Sequence, residues 1–300
     1  MKIVISGLGR MGGQIAHKLI DGGIEVIAHN RSAEPVKEMA ALGAIPAYSK
    51  EEAVAAFKNE PVIIWLMVPA EVVVLELEQW LKLIPKNSII IDGGNSDFRK
   101  TQAHAKLVSE QGSNLLDVGT SGGVWGYQNG FSMMVGGDQT SFKIIEAILK
   151  ILAAPEGAYN FFGAPGAGHY VKMVHNAIEY GVMESLAEGY RLLKEGPYKD
   201  LDLAAAGEVW QHHSVITSWL NELSRDALRE NPTLEGIDGY VAESGEARWA
   251  LEVAADSKIE TPAISAAYEV RLASQKGKIN FATKLLAAMR NAFGGHNLNK

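Results

Sequence analysis

The sequence predicts a doubly wound α/β sheet followed by an all-α C-terminal domain. Three observations predict it. Short β-rich apolar runs alternate with longer helical stretches over the first 165 residues. A glycine-rich turn joins the first run to the first helix. Beyond that region the spacing becomes helical almost throughout, with many good helix formers such as Ala, Leu, Glu and Lys. A chain of 300 residues with 47% hydrophobic content holds enough for two cores, since single domains run to about 100–200 residues. Domains at 1–165 and 166–300 are expected.

In chain order, residues 2–6, 25–29, 62–68, 88–92 and 114–118 read as strands, and 11–21, 33–42, 71–83 and 100–111 as the helices between them. Such alternation predicts a mostly parallel sheet with helices on both faces. A further strand at 131–135 and a helix at 140–152 lead to Gly163-Ala164-Pro165-Gly166-Ala167-Gly168, the predicted boundary. The first helix beyond it should run over 168–194, about 40 Å at 1.5 Å per residue.

Composition narrows the function. With 28 basic against 35 acidic residues the net charge is -7, which argues against nucleic acid as a partner, because that affinity rests on phosphate neutralisation. The absence of cysteine removes disulfides, thiolate nucleophiles, iron–sulfur clusters and cysteine-held zinc. The longest apolar run, 62–68, is far short of the roughly 20 residues that cross a bilayer. Met1 to Ser6 reads as a strand and not as a signal peptide. A soluble cytoplasmic protein with no membrane partner is expected.

The first predicted strand runs into Gly7-Leu8-Gly9-Arg10-Met11-Gly12, a GxGxxG that opens an amphipathic helix. The first glycine allows a tight turn, the second a close approach of backbone to pyrophosphate, and the third close helix–strand packing. Helix amides then attract the phosphates. In this context the sheet is read as Rossmann-type. After the second strand stands His29-Asn30-Arg31-Ser32, where an NAD-preferring fold would present a carboxylate to the ribose. Arg31 suits a 2′-phosphate, with Asn30 and Ser32 supplying hydrogen bonds, so NADP is favoured over NAD. A solvated turn arginine that tolerates either cofactor is the alternative.

Lys172, His175, Asn176 and Glu179 fall at i, i+3, i+4 and i+7, so a helix puts all four on one face. Two arrangements satisfy that spacing. The polar stripe lines a site, or it faces solvent while Val171, Val174 and Ile178 form the core stripe.

The segment from Gly168 to Tyr180 resembles the signature of the 6-phosphogluconate dehydrogenase family, within the β-hydroxyacid dehydrogenase superfamily. The resemblance covers nearly the whole chain. It includes Asp92-Gly93-Gly94-Asn95-Ser96, Gly119-Thr120-Ser121-Gly122-Gly123 and Arg290-Asn291-Ala292-Phe293-Gly294-Gly295-His296. The length resembles a short form that lacks a duplicated helical half.

The resemblance implies oxidation of a phosphorylated sugar acid, 6-phosphogluconate, in the pentose phosphate pathway or gluconate utilisation. Lys172 would act as general base on the 3-hydroxyl and Glu179 as general acid at carbon 1, with His175 and Asn176 beside them and no metal required. A lysine base near neutral pH needs desolvation or a nearby cation, so a closed pocket is expected around Lys172. Cofactor contacts are implied at Gly7, Leu8, Gly9, Arg10, Met11, Gly12, Asn30, Arg31, Ser32, Val68 and Asn95. Substrate contacts are implied at Asn95, Ser121, Gly122, Gly123, Lys172, His175, Asn176 and Glu179. Tyr180, Arg271, Arg290 and His296 are implied for the phosphate end. A tail that reaches a neighbouring subunit's site implies a homodimer or homotetramer. One departure stands out. Longer relatives carry a Lys-Gly-Thr-type segment where this chain has Ser244-Gly245-Glu246, with Arg248 close by as a substitute cation or a solvent-facing residue.

Two other functions remain open on sequence grounds. A 3-hydroxyisobutyrate-type 3-hydroxyacid dehydrogenase would share the fold, cofactor and lysine but has no enediol to protonate. A non-catalytic dinucleotide-sensing protein would keep the fold without turnover.

Overall fold

The computed structural model describes residues 1–155, 157–295 and 297–298. The chain forms two compact units, Met1–Met173 and Val174–Lys300.

In the first unit β1 (Lys2–Ser6) leads to α1 (Arg10–Asp21), β2 (Glu25–His29), α2 (Ala33–Ala41), β3 (Ile45–Ala47) and α3 (Lys50–Ala55). There follow β4 (Ile63–Leu66), α4 (Val73–Leu81), β5 (Ile89–Asp92), α5 (Phe98–Glu110) and β6 (Asn114–Ser121). A short 3-10 turn and α6 (Gly126–Asn129) then precede β7 (Ser132–Gly137), α7 (Gln139–Leu152) and β8 (Tyr159–Gly163). Among the described residues the strands form one eight-stranded sheet in the order β3-β2-β1-β4-β5-β6-β7-β8. All neighbours are parallel except β6 and β7.

The strand order reverses at β1, which pairs with β2 on one side and β4 on the other. Such a switch point opens a crevice at the carboxyl ends of the strands, where ligands bind in open α/β sheets. Alternation along β1 feeds two cores. Ile3 and Ile5 join α1 and α7 residues such as Ile15, Leu19 and Ile148 on one face. Val4 joins Ile27, Ile64 and Trp80 on the other, as a period of two requires.

The predicted elements are all present, with ends moved by a few residues. To the first unit the structure adds β3, α3, α6 with the 3-10 turn before it, and β8. Both strands are sheet edges, β3 is three residues long with Pro46 at its centre, and β8 shows no fully buried position. Neither presents the apolar run by which a buried strand is read.

α8 (Ala167–Glu195) gives its first two turns to the first unit and the rest to the second. The second unit continues with α9 (Leu203–Gln211), α10 (Trp219–Glu230), α11 (Glu246–Asp256), α12 (Pro262–Gln275) and α13 (Phe281–Gly294), and is all-helical among the described residues. Its main core gathers Met183, Tyr190, Leu228, Leu285, Leu286 and Met289. Helix starts follow local chemistry: Asp202, Ser218 and Asn280 cap α9, α10 and α13 through side-chain oxygens, and Pro262 opens α12 where its missing N–H costs nothing.

Candidate active site

The glycine turn lies at the switch point. Gly7 has φ 99°, where a side chain would be strained, and a Cβ there would strike the Met67 carbonyl oxygen. A Cβ on Gly12 would overlap the Gly7 carbonyl oxygen, so α1 approaches β1 this closely only with glycine at that place. Around Gly9 nothing lies within 4 Å of where a Cβ would stand. Gly9 is also the N-cap of α1, and no side chain caps the helix. An open backbone at an uncapped helix N-terminus fits a pyrophosphate, so the residues present suit a dinucleotide. Gly7, Gly9, Asn30, Arg31, Ser32 and Val68 line a cavity of about 820 Å³ there.

Several predicted cofactor residues act through the loop itself. Asn30 accepts from the Leu8 amide at 3.0 Å and donates to the Ser32 hydroxyl at 2.9 Å. It ties the glycine turn to the β2–α2 turn. The Leu8 side chain is buried, and Met11 packs in part on the same core. Arg10 is exposed at the start of α1, and Arg31 is exposed on the cavity wall with no ion pair among the described residues. Lys50, on the unpredicted α3, also lines the cavity and is held by Glu76 at 2.9 Å. Burial, and after it the Lys50 charge, keep the neighbouring His29 imidazole below its ordinary pKa.

Across the sheet, the buried Asp92 at the end of β5 accepts from the Gly94 amide at 3.1 Å and the Ser96 hydroxyl at 2.8 Å. Those bonds shape the loop and leave Asn95 exposed at its tip. β6 ends in Ser121, followed by Gly122 and Gly123, both at positive φ. Inside β6 the buried Asp117 accepts from the Gly166 and His169 amides, each at 2.8 Å. It thereby satisfies amides at the start of α8. Thr101 holds the His169 ring at 2.7 Å. One turn later comes Lys172, 5% exposed. Gly119 of β6 lies directly against it, and a Cβ on Gly119 would overlap the Lys172 Cβ. Lys172 is thus packed out of solvent.

Farther along α8 the same face stays buried. Asn176 is 9% exposed and Tyr180 is buried, whereas Ile178 is 54% exposed and Val171 and Val174 are half-buried. The alternative in which Val171, Val174 and Ile178 make the core stripe is therefore corrected: Ile178 faces out, and of the polar stripe Lys172 and Asn176 are buried while His175 and Glu179 are half-buried. His175 Nδ1 lies 2.9 Å from Asn176 Oδ1, and Asn176 Nδ2 donates to Glu246 Oε1 at 2.8 Å. Glu179 is half-buried.

Tyr180 Oη accepts from the Ser244 amide at 3.2 Å, and the Arg271 guanidinium lies 3.2 Å from the Tyr180 ring centroid. Arg271 and Arg290 are both buried. Neither has a carboxylate at ion-pair distance among the described residues. Burial lowers the pKa of both, Arg271 to about 10, which leaves Arg271 charged at neutral pH. Glu179, Glu184 and Glu246 offset part of that charge from farther away, and two buried guanidiniums without a close carboxylate suit an anion. Arg248 is exposed, with Glu243 at 3.8 Å. His296 lies outside the described residues.

Two further acids are buried. Glu246, which departs from the longer relatives' segment, is buried and joined to Asn176. Glu184, one turn beyond Tyr180, is pushed up to about 7 by burial, then by Glu188, against the opposing pull of Arg271. Its spacing from Tyr180 on the buried stripe was the available signal.

A sheet with a pyrophosphate cradle, followed by a helical unit and joined by a helix that buries a lysine, defines an NAD(P)-dependent oxidoreductase. The chain belongs to the 6-phosphogluconate dehydrogenase family. Residues 2–166 match the NAD binding domain of 6-phosphogluconate dehydrogenase and residues 168–283 match its C-terminal domain. It is 37% identical to the NAD(+)-dependent, decarboxylating 6-phosphogluconate dehydrogenase of Haloferax volcanii, over 99% of this chain and 98% of that one. Among solved structures it is similar to Plasmodium falciparum 6-phosphogluconate dehydrogenase, with TM-score 0.83 and 24% identity over 96% of this chain and 70% of that one. It also shares its fold with Mycobacterium tuberculosis 3-hydroxyisobutyrate dehydrogenase, with TM-score 0.73 and 21% identity over 95% and 97% of the two chains.

Proposed function

We propose that this chain converts 6-phosphogluconate to ribulose 5-phosphate and carbon dioxide with NADP, or less readily NAD. The inward polar stripe of α8 carries the reading: Lys172 and Asn176 are buried while Ile178 is not. Burying such groups costs free energy unless they are bonded, which suits side chains that act on a ligand. The buried Arg271 and Arg290, with no carboxylate at ion-pair distance among the described residues, support a phosphorylated substrate, and the full-length relative's name supports the sugar acid.

Gly7, Gly9 and Gly12 would hold the pyrophosphate and Arg31 a 2′-phosphate. The nicotinamide supplies the hydride acceptor. Lys172 takes the proton from the 3-hydroxyl as hydride leaves carbon 3, giving a β-keto acid. As ammonium, Lys172 then hydrogen-bonds the new ketone and stabilises the enolate when the carboxylate leaves as carbon dioxide. Glu179, two helical turns along, delivers a proton to carbon 1 of the enediol. Asn95, Ser121 to Gly123, His175 and Asn176 bind the hydroxyls and carboxylate, and Tyr180, Arg271 and Arg290 the phosphate. We further infer self-association as a dimer or tetramer, in keeping with the strongly exposed Leu192, Val209 and Val215 of the second unit.

The test is a spectrophotometric comparison of NADP and NAD with 6-phosphogluconate, unphosphorylated gluconate and 3-hydroxyisobutyrate, coupled to carbon dioxide detection. The expected result is one carbon dioxide per reduced cofactor with 6-phosphogluconate, a much weaker rate with gluconate and none with 3-hydroxyisobutyrate. Reduction of cofactor by 3-hydroxyisobutyrate without carbon dioxide would overturn the reading.

A further inference from the structure

Glu246 is 2% exposed, and its two oxygens have different surroundings. Oε1 accepts from Asn176 Nδ2 at 2.8 Å, whereas Oε2 is buried with no hydrogen-bond partner among the described residues. Burying a carboxyl oxygen without a donor is costly. A donor supplied by a ligand would remove that cost.

The bonded oxygen fixes the atoms beside it. The Asn176 amide nitrogen donates to Glu246 Oε1, which turns the amide oxygen the other way. Asn176 Oδ1 therefore faces His175 Nδ1, 2.9 Å away, where a proton on that ring nitrogen would complete the bond. One buried acid thus sets the orientation of an amide beside an imidazole.

The unbonded oxygen points to the ligand's chemistry. Arg290 and Glu246 sense each other's charge, and Tyr180, which contacts Ser244 and Arg271, borders the same end of the unit. A carboxylate would repel a phosphate dianion and cannot be one of its ligands. What suits it is a neutral donor beside the phosphate, which in a polyhydroxy acid is a hydroxyl. We propose that Glu246 is a specificity-determining residue: Oε1 positions Asn176 and His175, and Oε2 accepts a hydrogen bond from a hydroxyl on the phosphate-bearing half of the substrate. This rests on the functional reading above. It makes the chain selective for acids that keep that hydroxyl, since a site built to bond a hydroxyl rejects the analogue lacking it.

The experiment measures kcat and KM for wild type and Glu246→Gln with 6-phosphogluconate and its 4-deoxy and 5-deoxy analogues, and cofactor affinity by NADPH fluorescence. In the variant the amide oxygen still accepts from Asn176, while the amide nitrogen replaces Oε2. Wild type should lose about tenfold to hundredfold in kcat/KM on one of the two analogues. Glu246→Gln should raise KM for 6-phosphogluconate by a similar factor, leave kcat within a few fold, and no longer discriminate against that analogue. Cofactor affinity should be unchanged. A merely structural role would weaken all three substrates equally and preserve the discrimination, which overturns the proposal. If the variant does not fold, wild type alone decides: equal kcat/KM for the parent and both analogues overturns it. Failure of wild type to turn over 6-phosphogluconate removes the functional reading together with this inference. Normal turnover with undiminished discrimination in the variant removes this inference alone.

Discussion

Glu184 is a buried acid in mixed charged company: Glu188 raises its pKa and Arg271 lowers it, while burial dominates. In the unfolded chain such a carboxyl titrates near 4.5, and in the fold near 7. The fold therefore holds the proton more tightly. Its contribution to stability is complete below the unfolded value and is lost as pH rises through the folded one, by on the order of 3 kcal/mol. The melting temperature of wild type should fall between pH 5 and 8 more steeply than that of Glu184→Gln, read by thermal denaturation across that range. Parallel curves would contradict the assignment. The residues of the site divide in how they could be foreseen. Lys172, His175, Asn176 and Glu179 share a helix, so spacing alone aligned them, whereas Tyr180 rested on the family resemblance. The bond from Asn176 to Glu246 spans 70 residues of sequence, and no local pattern announces such a pair.

At the scale of the element, α8 depends on β6. Asp117 satisfies amides at the helix start and Gly119 gives Lys172 room. Gly119→Val should force the lysine from its seat, costing about 1–3 kcal/mol of stability and lowering kcat at least tenfold, while NADPH binding at the distant glycine turn stays intact. Steady-state kinetics beside fluorescence titration checks this, and wild-type kcat would show that the contact is incidental. The long helix was legible because its spacing persists over many turns. The edge strands β3 and β8 were not, since an edge strand lacks the double-sided burial that writes an apolar run. The inward turn of the polar stripe was undecidable from periodicity, because two faces of one helix share the same period.

On the scale of the whole molecule, the first unit carries the dinucleotide cradle and the second the paired arginines. No helix among the described residues is long and apolar enough to cross a membrane. Arg31 on the cradle wall has no ion pair among the described residues, and Arg31→Ala should raise KM for NADP by about tenfold to hundredfold with little change for NAD. Equal losses with both cofactors would assign the arginine to the adenine and not to a 2′-phosphate. The central claim is that the buried face of α8 performs the chemistry while cofactor binding resides elsewhere. Lys172→Met tests it most directly, with turnover of 6-phosphogluconate and NADPH affinity measured on the same preparation. The account predicts unchanged affinity with turnover reduced by about 10²–10⁴-fold, and turnover at the wild-type rate would contradict it.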